Sequence, residues 1–302
     1  MNQQFLTELK AVTAENRIFM DESMKKHTTF RVGGPADILV QPKGTELAAV
    51  IRLCRKYDVP YQVIGNGSNL LVGDRGIRGL VIEMLSKEDE ICVEDDCITV
   101  GAGMLLSKTA NRAADHGLTG MEFAAGIPGS IGGAVVMNAG AYGGEMKDIL
   151  TAVTVLDQEG NEKILSAEEL ELGYRTSCIL KKGYIVTGAK IKLKHGEETA
   201  IRARMEELKK QRVEKQPLEY PSAGSTFKRP EGYFAGKLIM DAGLRGYLVG
   251  EAQVSEKHCG FVINRGNATA ADVRTLMQNV ADIVEEKFGV RLEPEVKMIG
   301  EF

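Results

Sequence analysis

The stretch GLTGMEFAAGIPGSIGGAVVMNAGAYGGEM, from Gly117 to Met146, contains eight further glycines and only two charged residues. Its aliphatic residues, such as Ile127 and Ile131, distinguish it from a polar linker and indicate that it is buried. Glycine backbone in a buried segment can approach a flat ligand closely and can direct N–H groups at ligand oxygen atoms. We therefore interpret the stretch as a loop around a phosphate-bearing cofactor. Tight turns in a compact β-rich core are the alternative.

The composition of the 302 residues, 43% hydrophobic and 26% charged, is typical of a soluble globular protein with two or three domains. The net charge of −4 predicts no nucleic-acid partner. No apolar run reaches the length of about 18 residues that a membrane span needs, so we expect no membrane insertion. The N-terminus lacks a signal-peptide pattern, and the five cysteines and four histidines form no metal-ligand cluster. We expect a cytoplasmic protein with reduced thiols and no metal.

The first third of the chain predicts an N-terminal helix, with Phe5 and Leu9 on its apolar side, and then a β-β-α-β arrangement. Thr45 is positioned to begin the helix of that arrangement. Strands are predicted at 28–32, 36–40 and 61–64. The last strand leads into Gly65-Asn66-Gly67-Ser68-Asn69, whose N–H groups and polar side chains suit a pyrophosphate. A plain hairpin turn is the alternative for this motif.

The remaining two thirds mix helical and strand patterns, with a change to a highly charged helix near residue 200 that predicts a domain boundary there. Helices are predicted at 105–116, 197–215, 234–244 and from the cap Thr269 to Gly289, and a capping box with a short helix at 166–169. Strands are predicted at 79–84, 97–100, 149–156, 163–165, 184–193, 252–255, 260–264 and 290–299. The segment 221–230 is predicted to be a polar loop. In the last strand Glu293 and Glu295 share one face, so the alternation does not choose between them.

Six motifs, taken together and in order, extend over almost the whole chain. They are TFRVGGPA (29–36), GNGSNLLV (65–72), GIPGSIGGAVVMNAGAYGGE (126–145), GYRTS (173–177), PSAGSTFK (221–228) and LEPEVKMIG (292–300). The set resembles the UDP-N-acetylenolpyruvoylglucosamine reductase (MurB) family, flavoenzymes of peptidoglycan synthesis. The resemblance implies an α+β protein. Its FAD-binding domain would be of the vanillyl-alcohol-oxidase type, made of two α+β subdomains, and an α+β substrate-binding domain would follow.

The boundaries that we assign on this resemblance are a helix at 1–22, an FAD-binding domain at 23–200 with subdomains at about 23–95 and 96–200, and a substrate-binding domain at 201–302. The implied reaction uses NADPH and non-covalent FAD to reduce the enolpyruvyl ether of UDP-N-acetylglucosamine enolpyruvate to UDP-N-acetylmuramate. Arg175 matches the family residue that meets the developing carboxylate charge. Ser225 matches the proton donor, and Glu295 matches the third catalytic residue, which helps to stabilise the enolic intermediate.

The resemblance also implies cofactor and substrate contacts. Lys228 is expected to meet substrate phosphate or carboxylate, alongside the three catalytic residues. The residues expected to bind FAD are Arg31, Gly65, Asn66, Gly67, Ser68, Asn69, Gly126, Ser130 and Gly133. Small departures occur at Arg229 and Cys259, outside the catalytic trio. No tyrosine lid insertion is evident between Tyr184 and the charged helix, which is typical of the shorter subtype. A related FAD-dependent oxidase and a non-catalytic UDP-sugar-binding protein are the alternative functions.

Overall fold

The computed structural model describes residues 3–85 and 91–302. Polar caps and glycines set the ends of some helices, whereas the predicted cap Thr45 makes no side-chain capping hydrogen bond. Thr269 accepts a hydrogen bond from the Asp272 N–H at 3.0 Å, and Gly289 ends the same helix with φ 67°. The α-helices of the described residues are α1 (Gln3–Val12), α2 (Glu46–Lys56), α3 (Leu106–Asp115), α4 (Ile131–Val136), α5 (Cys178–Lys182), α6 (Glu198–Lys215), α7 (Ala235–Asp241) and α8 (Ala270–Phe288).

The strands are short, and several have only two residues. In chain order, the described residues form β1 (Ile18–Ser23), β2 (Pro35–Val40), β3 (Tyr61–Ile64), β4 (Leu70–Val72), β5 (Ile77–Glu83), β6 (Ile91–Glu94), β7 (Cys97–Gly101), β8 (Leu118–Thr119), β9 (Gly140–Ala141), β10 (Gly144–Glu145), β11 (Leu150–Leu156), β12 (Glu162–Ser166), β13 (Ile185–Lys192), β14 (Lys194–His195), β15 (Ser222–Ser225), β16 (Leu248–Val249), β17 (Ala252–Val254), β18 (Phe261–Asn264) and β19 (Lys297–Ile299).

Three larger sheets organise these strands. Their orders are β1-β2-β5-β3, β12-β11-β13-β7-β6 and β15-β18-β17-β16. The second and third sheets are antiparallel, whereas β3 pairs in parallel with β5, with Tyr61 opposite Leu80. A separate parallel pair joins β4 to β19, with Leu70 opposite Lys297.

The described chain divides into two compact units, each assembled from three segments. Unit 1 comprises residues 1–19, 38–66 and 79–212, and unit 2 comprises 20–37, 67–78 and 213–302. Unit 1 holds two hydrophobic cores. One core contains Ile51 and Leu80, and the other contains Ile98 and Val135. Unit 2 holds a single core, in which Phe30 and Leu71 pack with residues from α7, α8 and the C-terminal segment. Two α+β layers around separate cores in unit 1 agree with a domain built of two subdomains.

Most predicted elements are confirmed, and five predictions are wrong in part or in full. The predicted helix 1–22 is wrong in its second half, because α1 ends at Val12 and Ile18–Ser23 forms β1. The predicted strand 28–32 is a turn, in which Arg31 has φ 56°. The predicted strand 290–299 is reduced to β19, because Pro294 lies in its middle and donates no N–H. The predicted loop 221–230 contains β15. Ser166 and Glu169 exchange the two capping hydrogen bonds, at 3.3 and 2.8 Å, but turns follow instead of a helix.

In the described residues, no helix combines the length and the apolar composition that crossing a lipid bilayer requires.

Candidate cofactor and substrate site

The end of β3 contacts the glycine-rich stretch inside unit 1. Asn66 Nδ2 donates a hydrogen bond to the Pro128 carbonyl at 3.2 Å. A side chain at Gly65 would place its Cβ 2.1 Å from Ser130 Oγ, so only glycine allows this approach without displacement. The two motifs predicted to bind the cofactor, GNGSN and GIPGS, therefore meet at Gly65, Asn66 and Ser130.

Ser130 organises the turn that leads into α4. Its side chain is 2% exposed and accepts a hydrogen bond from the Gly133 N–H at 3.4 Å. Within residues 3–85 and 91–302, the backbone N–H groups of Gly65, Asn66 and Ser130 donate to no protein acceptor. Uncommitted N–H groups next to small residues suit phosphate oxygens, so this donor set fits the pyrophosphate of a dinucleotide.

The second half of the glycine-rich stretch supports the GYRTS motif through Asn138. The Asn138 side chain is completely buried, and the backbone of Asn138 has φ 43°. Its Nδ2 donates to Glu145 Oε2 at 2.9 Å and to the Gly173 carbonyl at 3.0 Å, and its Oδ1 accepts from the Lys147 N–H at 2.9 Å. Nothing in the sequence singles out Asn138, because an asparagine between Met137 and Ala139 gives no sign that it will be buried.

Arg175 lies in the tight turn that Asn138 supports. Gly173 and Thr176 close this turn with reciprocal backbone hydrogen bonds of 3.1 and 3.3 Å. Arg175 itself has φ 54°, a left-handed conformation that is uncommon for a residue with a side chain. Its Nη2 donates to the Gly140 carbonyl at 3.2 Å. The predicted cation is thus held by the glycine-rich stretch at a strained backbone position, a feature that clusters at functional sites.

Ser225 and Glu295 lie on neighbouring segments of unit 2. Ser225 is exposed at the end of β15, directly after Gly224, which has φ 75°. The Glu295 N–H donates to the Thr226 carbonyl at 2.8 Å, so the residue after Ser225 is bonded to the backbone of Glu295. The structure therefore brings the predicted proton donor and the predicted third catalytic residue into one part of unit 2. Arg175 belongs to unit 1.

The polar end of the GNGSN motif continues into the same part of unit 2. Asn69 Nδ2 donates to the Glu295 carbonyl at 3.1 Å. Thr29 joins two further motifs, because its N–H donates to the Gly67 carbonyl at 3.2 Å and its Oγ1 to the Ser222 carbonyl at 2.6 Å. Four of the six motifs are consequently bonded to one another within unit 2. Ser68 is half-buried between Gly67 and Asn69.

The remaining predicted residues differ in surroundings. Arg31 is exposed. Lys228 Nζ lies 3.0 Å from Glu293 Oε2, and the Glu293 side chain is 70% exposed. Glu295 is half-buried, so burial distinguishes these two carboxylates, whereas the alternation of the sequence did not.

Gly126 and Gly133 are exposed on the glycine-rich stretch, where a ligand can reach their backbone. Among the described residues, no group of three or more His, Cys, Asp or Glu is arranged to hold a metal ion.

Comparisons with known proteins identify the domains that contain these motifs. The FAD binding domain family model matches residues 36–166, which span the β3 exit and the glycine-rich stretch. The chain is therefore a flavoprotein that uses FAD.

The model for the C-terminal domain of UDP-N-acetylenolpyruvoylglucosamine reductase matches residues 216–299. A UDP-N-acetylenolpyruvoylglucosamine reductase from Agathobacter rectalis is 57% identical over 314 residues, which cover 100% of both chains. One from Caldanaerobacter subterraneus subsp. tengcongensis is 52% identical over 302 residues, again 100% of both chains. The chain belongs to the UDP-N-acetylenolpyruvoylglucosamine reductase family.

A solved structure supports this assignment. The crystal structure of the reductase from Thermus caldophilus aligns with a TM-score of 0.79 at 40% identity, over 93% of this chain and 97% of that chain. The predicted family, the α+β fold with an FAD-binding domain and a C-terminal domain, and the FAD cofactor are confirmed.

Proposed function

We propose that this chain reduces the enolpyruvyl ether of UDP-N-acetylglucosamine enolpyruvate to the lactyl ether of UDP-N-acetylmuramate, in the cytoplasm, with NADPH as the hydride source. The 57% identity over the full length to a reductase of that name carries this proposal. The product is a precursor of peptidoglycan. We also propose residues 23–200 as the cofactor domain and 201–302 as the substrate domain, and the shorter subtype for the chain.

FAD, when bound, would supply the hydride-transfer chemistry that links NADPH to the β-carbon of the enolpyruvyl group. Hydride addition builds negative charge on the substrate carboxylate, and a fixed cation lowers the energy of that charge. Arg175 is suited to this task because its turn is closed by two backbone hydrogen bonds and its Nη2 is held by the Gly140 carbonyl. Little reorganisation of the guanidinium is then needed during the reaction.

Ser225 provides the proton for the α-carbon in this proposal. A serine hydroxyl is a weak acid, so it must lie beside a group that stabilises the resulting charge. Glu295, whose N–H is bonded to the Thr226 carbonyl, assists by stabilising the enolic intermediate. Lys228 contacts substrate phosphate or carboxylate and would exchange its ion pair with exposed Glu293 for the substrate.

The residues that we propose to hold FAD are those of the two motifs that meet at Ser130, together with Arg31 from the turn that precedes β2. The uncommitted N–H groups of Gly65, Asn66 and Ser130 support this choice. The set also contains Gly67, Ser68, Asn69, Gly126 and Gly133.

Anaerobic stopped-flow spectroscopy tests the function in two halves. NADPH should bleach the absorbance of the FAD-loaded protein promptly. UDP-N-acetylglucosamine enolpyruvate should then restore it, whereas oxygen should restore it slowly. Rapid reoxidation by oxygen together with no response to the UDP-sugar would instead identify a related oxidase, and no bleaching by NADPH would indicate a non-catalytic binding protein.

Two pairs of variants test the roles. Ser225→Ala should leave reduction by NADPH nearly intact and slow the second half by about 10²- to 10⁴-fold. Ser222→Ala, the same change in the same strand, should alter neither half-reaction.

Glu295→Gln should slow the second half-reaction as Ser225→Ala does, and Glu293→Gln should not. Equal slowing of both halves by Ser225→Ala would contradict its role, and the reverse result for the glutamates would show that Glu293 is the catalytic carboxylate.

A further inference from the structure

Thr29 bonds to two segments of unit 2 through two different groups. Its backbone N–H donates to the Gly67 carbonyl at 3.2 Å, and its hydroxyl Oγ1 donates to the Ser222 carbonyl at 2.6 Å. Gly67 belongs to the GNGSN motif, whereas Ser222 begins β15, the strand that ends at Ser225. Thr29 therefore connects a predicted cofactor motif to the strand of the predicted proton donor, and only its bond to β15 depends on the side chain.

Strand β15 is irregular between its first and last residues. It pairs with β18 at Ser222, opposite Ile263, and at Ser225, opposite Phe261, and the register shifts between these two pairs. Gly224 lies inside the shift with φ 75°, and a Cβ built on it would meet no atom of the described residues within 4 Å. A left-handed glycine in open space constrains the backbone little. The position of the exposed Ser225 consequently depends on the anchors on either side of the irregular part.

The anchor after the irregular part is Thr226, whose side chain is 1% exposed. Its N–H donates to the Gly260 carbonyl at 2.9 Å, and its Oγ1 accepts a hydrogen bond from the Val262 N–H at 2.9 Å. Because buried hydrogen bonds of this kind are costly to break, the chain that directly follows Ser225 is fixed to β18 and its preceding turn.

The anchor before the irregular part is a closed set of hydrogen bonds that includes Thr29. Asn264 is 2% exposed, its N–H donates to the Pro221 carbonyl at 2.9 Å, and its Nδ2 donates to the Phe30 carbonyl at 3.0 Å. The bond from Thr29 Oγ1 to Ser222 closes the set, since Thr29 precedes Phe30 and Ser222 follows Pro221. Removal of the hydroxyl would leave Pro221 bonded but would release Ser222, which is the residue next to the irregular part.

We propose that Thr29 is a positioning residue for the second half-reaction, because it holds β15 where the Ser225 hydroxyl can reach the α-carbon of the substrate. Proton transfer requires hydrogen-bond reach, and a displacement of about 1 Å can slow a reaction by about 10²-fold. Reduction of the flavin by NADPH does not use Ser225, so the first half-reaction should not depend on this anchor. The catalytic part of the inference rests on the proposed function, whereas the anchoring of β15 does not.

The kinetic test uses anaerobic stopped-flow spectroscopy of FAD-loaded variants. Thr29→Val keeps the shape of the side chain and the backbone bond to Gly67 but loses the hydroxyl, and Thr29→Ser keeps the hydroxyl. Thr29→Val should slow reoxidation by saturating UDP-N-acetylglucosamine enolpyruvate by about 10- to 100-fold and should leave reduction by NADPH within about twofold of the unmodified protein. Thr29→Ser should restore the second half-reaction to within about threefold.

Thr151→Val is the matched control. Thr151 Oγ1 donates to the Lys190 carbonyl at 3.1 Å, so the control removes the same kind of bond, but within unit 1. It should alter neither half-reaction. Equal slowing of both halves by Thr29→Val, an unchanged second half, or a Thr29→Ser protein as slow as Thr29→Val would overturn the proposal.

Hydrogen exchange of the FAD-free protein tests the anchor without any measurement of activity. Thr29→Val should raise the deuterium uptake of peptides that contain residues 222–226, and Thr151→Val should not. Unchanged uptake would show that the hydroxyl does not hold β15 and would overturn the proposal. If the UDP-sugar fails to reoxidise the unmodified protein, the proposed function fails and the catalytic role of Thr29 fails with it, while the uptake still decides whether Thr29 anchors β15.

Discussion

Asn138 connects the glycine-rich stretch to the turn that carries Arg175, and we expect Asn138→Ala to destabilise the protein strongly. The side chain is 0% exposed and makes three hydrogen bonds, to Glu145, Gly173 and Lys147. Alanine removes both donors and the acceptor, and it leaves a carboxylate oxygen, a carbonyl and an N–H without their partner. Each loss acts on the support of the Arg175 turn.

The magnitude follows from these contacts and from the backbone. An unsatisfied buried polar group costs about 1–3 kcal/mol, and relaxation with water entry lowers the sum for three groups to about 3–4 kcal/mol. The residue also has φ 43°, where alanine is disfavoured by a further ~1 kcal/mol. We therefore expect Asn138→Ala to lower the free energy of unfolding by about 4–5 kcal/mol. Asn138→Gly should be about 1 kcal/mol less destabilised, because glycine tolerates this conformation.

Urea unfolding monitored by far-ultraviolet circular dichroism measures the effect. Asn161→Ala is the control, since Asn161 is exposed and its Nδ2 lies at 3.4 Å from Asp157; its cost should be below about 1 kcal/mol. Asn138→Asp keeps the acceptor for the Lys147 N–H but places a carboxylate against that of Glu145. It should be at least as destabilising as alanine at pH 7 and should recover as the pH falls towards about 4, where carboxylates become protonated.

Two results would refute this reasoning. An Asn138→Ala protein that unfolds within about 1 kcal/mol of the unmodified protein would show that the hydrogen bonds contribute little net stability. A pH-independent Asn138→Asp variant would show that its carboxylate does not face Glu145. A stable variant with unchanged second half-reaction would further show that Asn138 does not position Arg175.

Three other sites give measurable expectations. Thr269→Ala removes the cap of α8 and should cost about 1–2 kcal/mol in urea unfolding, whereas a loss of less than ~0.3 kcal/mol would mean that the cap is replaced by water. The Asn161 backbone N–H, with other hydrogen bonds, holds the pKa of Asp157 at about 2, below its ordinary value of 3.8. Because this pKa is depressed on folding, its stabilisation is present above pH 3.8 and is lost as the pH falls towards 2; the urea midpoint relative to Asp157→Asn should fall over that window, and a constant difference would contradict it. Gly65→Ala would meet Ser130 Oγ at 2.1 Å, so it should lower thermal stability and weaken FAD binding, and Gly65→Ala with Ser130→Ala should restore part of both; no restoration would place the conflict elsewhere.

The sequence predicted helices well because their signals are local. The cap Thr269 and the terminal Gly289 lie within the segment that they limit, and α8 begins and ends between them. The same holds for the hairpin of β11 and β12, whose turn residues lie between two strand patterns. Signals of this kind need no information about distant parts of the chain.

Predictions failed where the partner of a segment is remote. Thr29 resembles a strand residue by type, but its hydrogen bonds go to Gly67 and Ser222, which hold it in a turn. The C-terminal alternation suggested a long strand, yet the Glu295 N–H is taken by Thr226 and only β19 pairs, in parallel, with β4. To choose between Glu293 and Glu295, one must know how deeply each side chain is buried. Burial depends on tertiary packing, which the alternation of polar and apolar residues does not reveal.

The candidate site was predicted at the level of motifs, and the missing parts are supporting residues. Asn138 is one amide in a run of small and apolar residues, and its role depends on Glu145 and Gly173 being nearby. Arg212 lies in a helix whose charges suggest a solvated face, and only the structure shows that its side chain is half-buried next to Gly126. The domain boundary near residue 200 and the roles of the catalytic trio stay predictions.

The construction of unit 2 from three separated segments has a consequence for biosynthesis. Phe30 and Leu71 belong to the core that α7, α8 and Val296 complete, and the Asn69 side chain is bonded to a carbonyl 226 residues further along. The early segments leave the ribosome long before the late segments are synthesised. The apolar side chains of Phe30 and Leu71 therefore remain exposed until α7, α8 and Val296 have been made. We expect nascent chains that stop before α8 to recruit chaperones through Phe30 and Leu71, and full-length chains to release them.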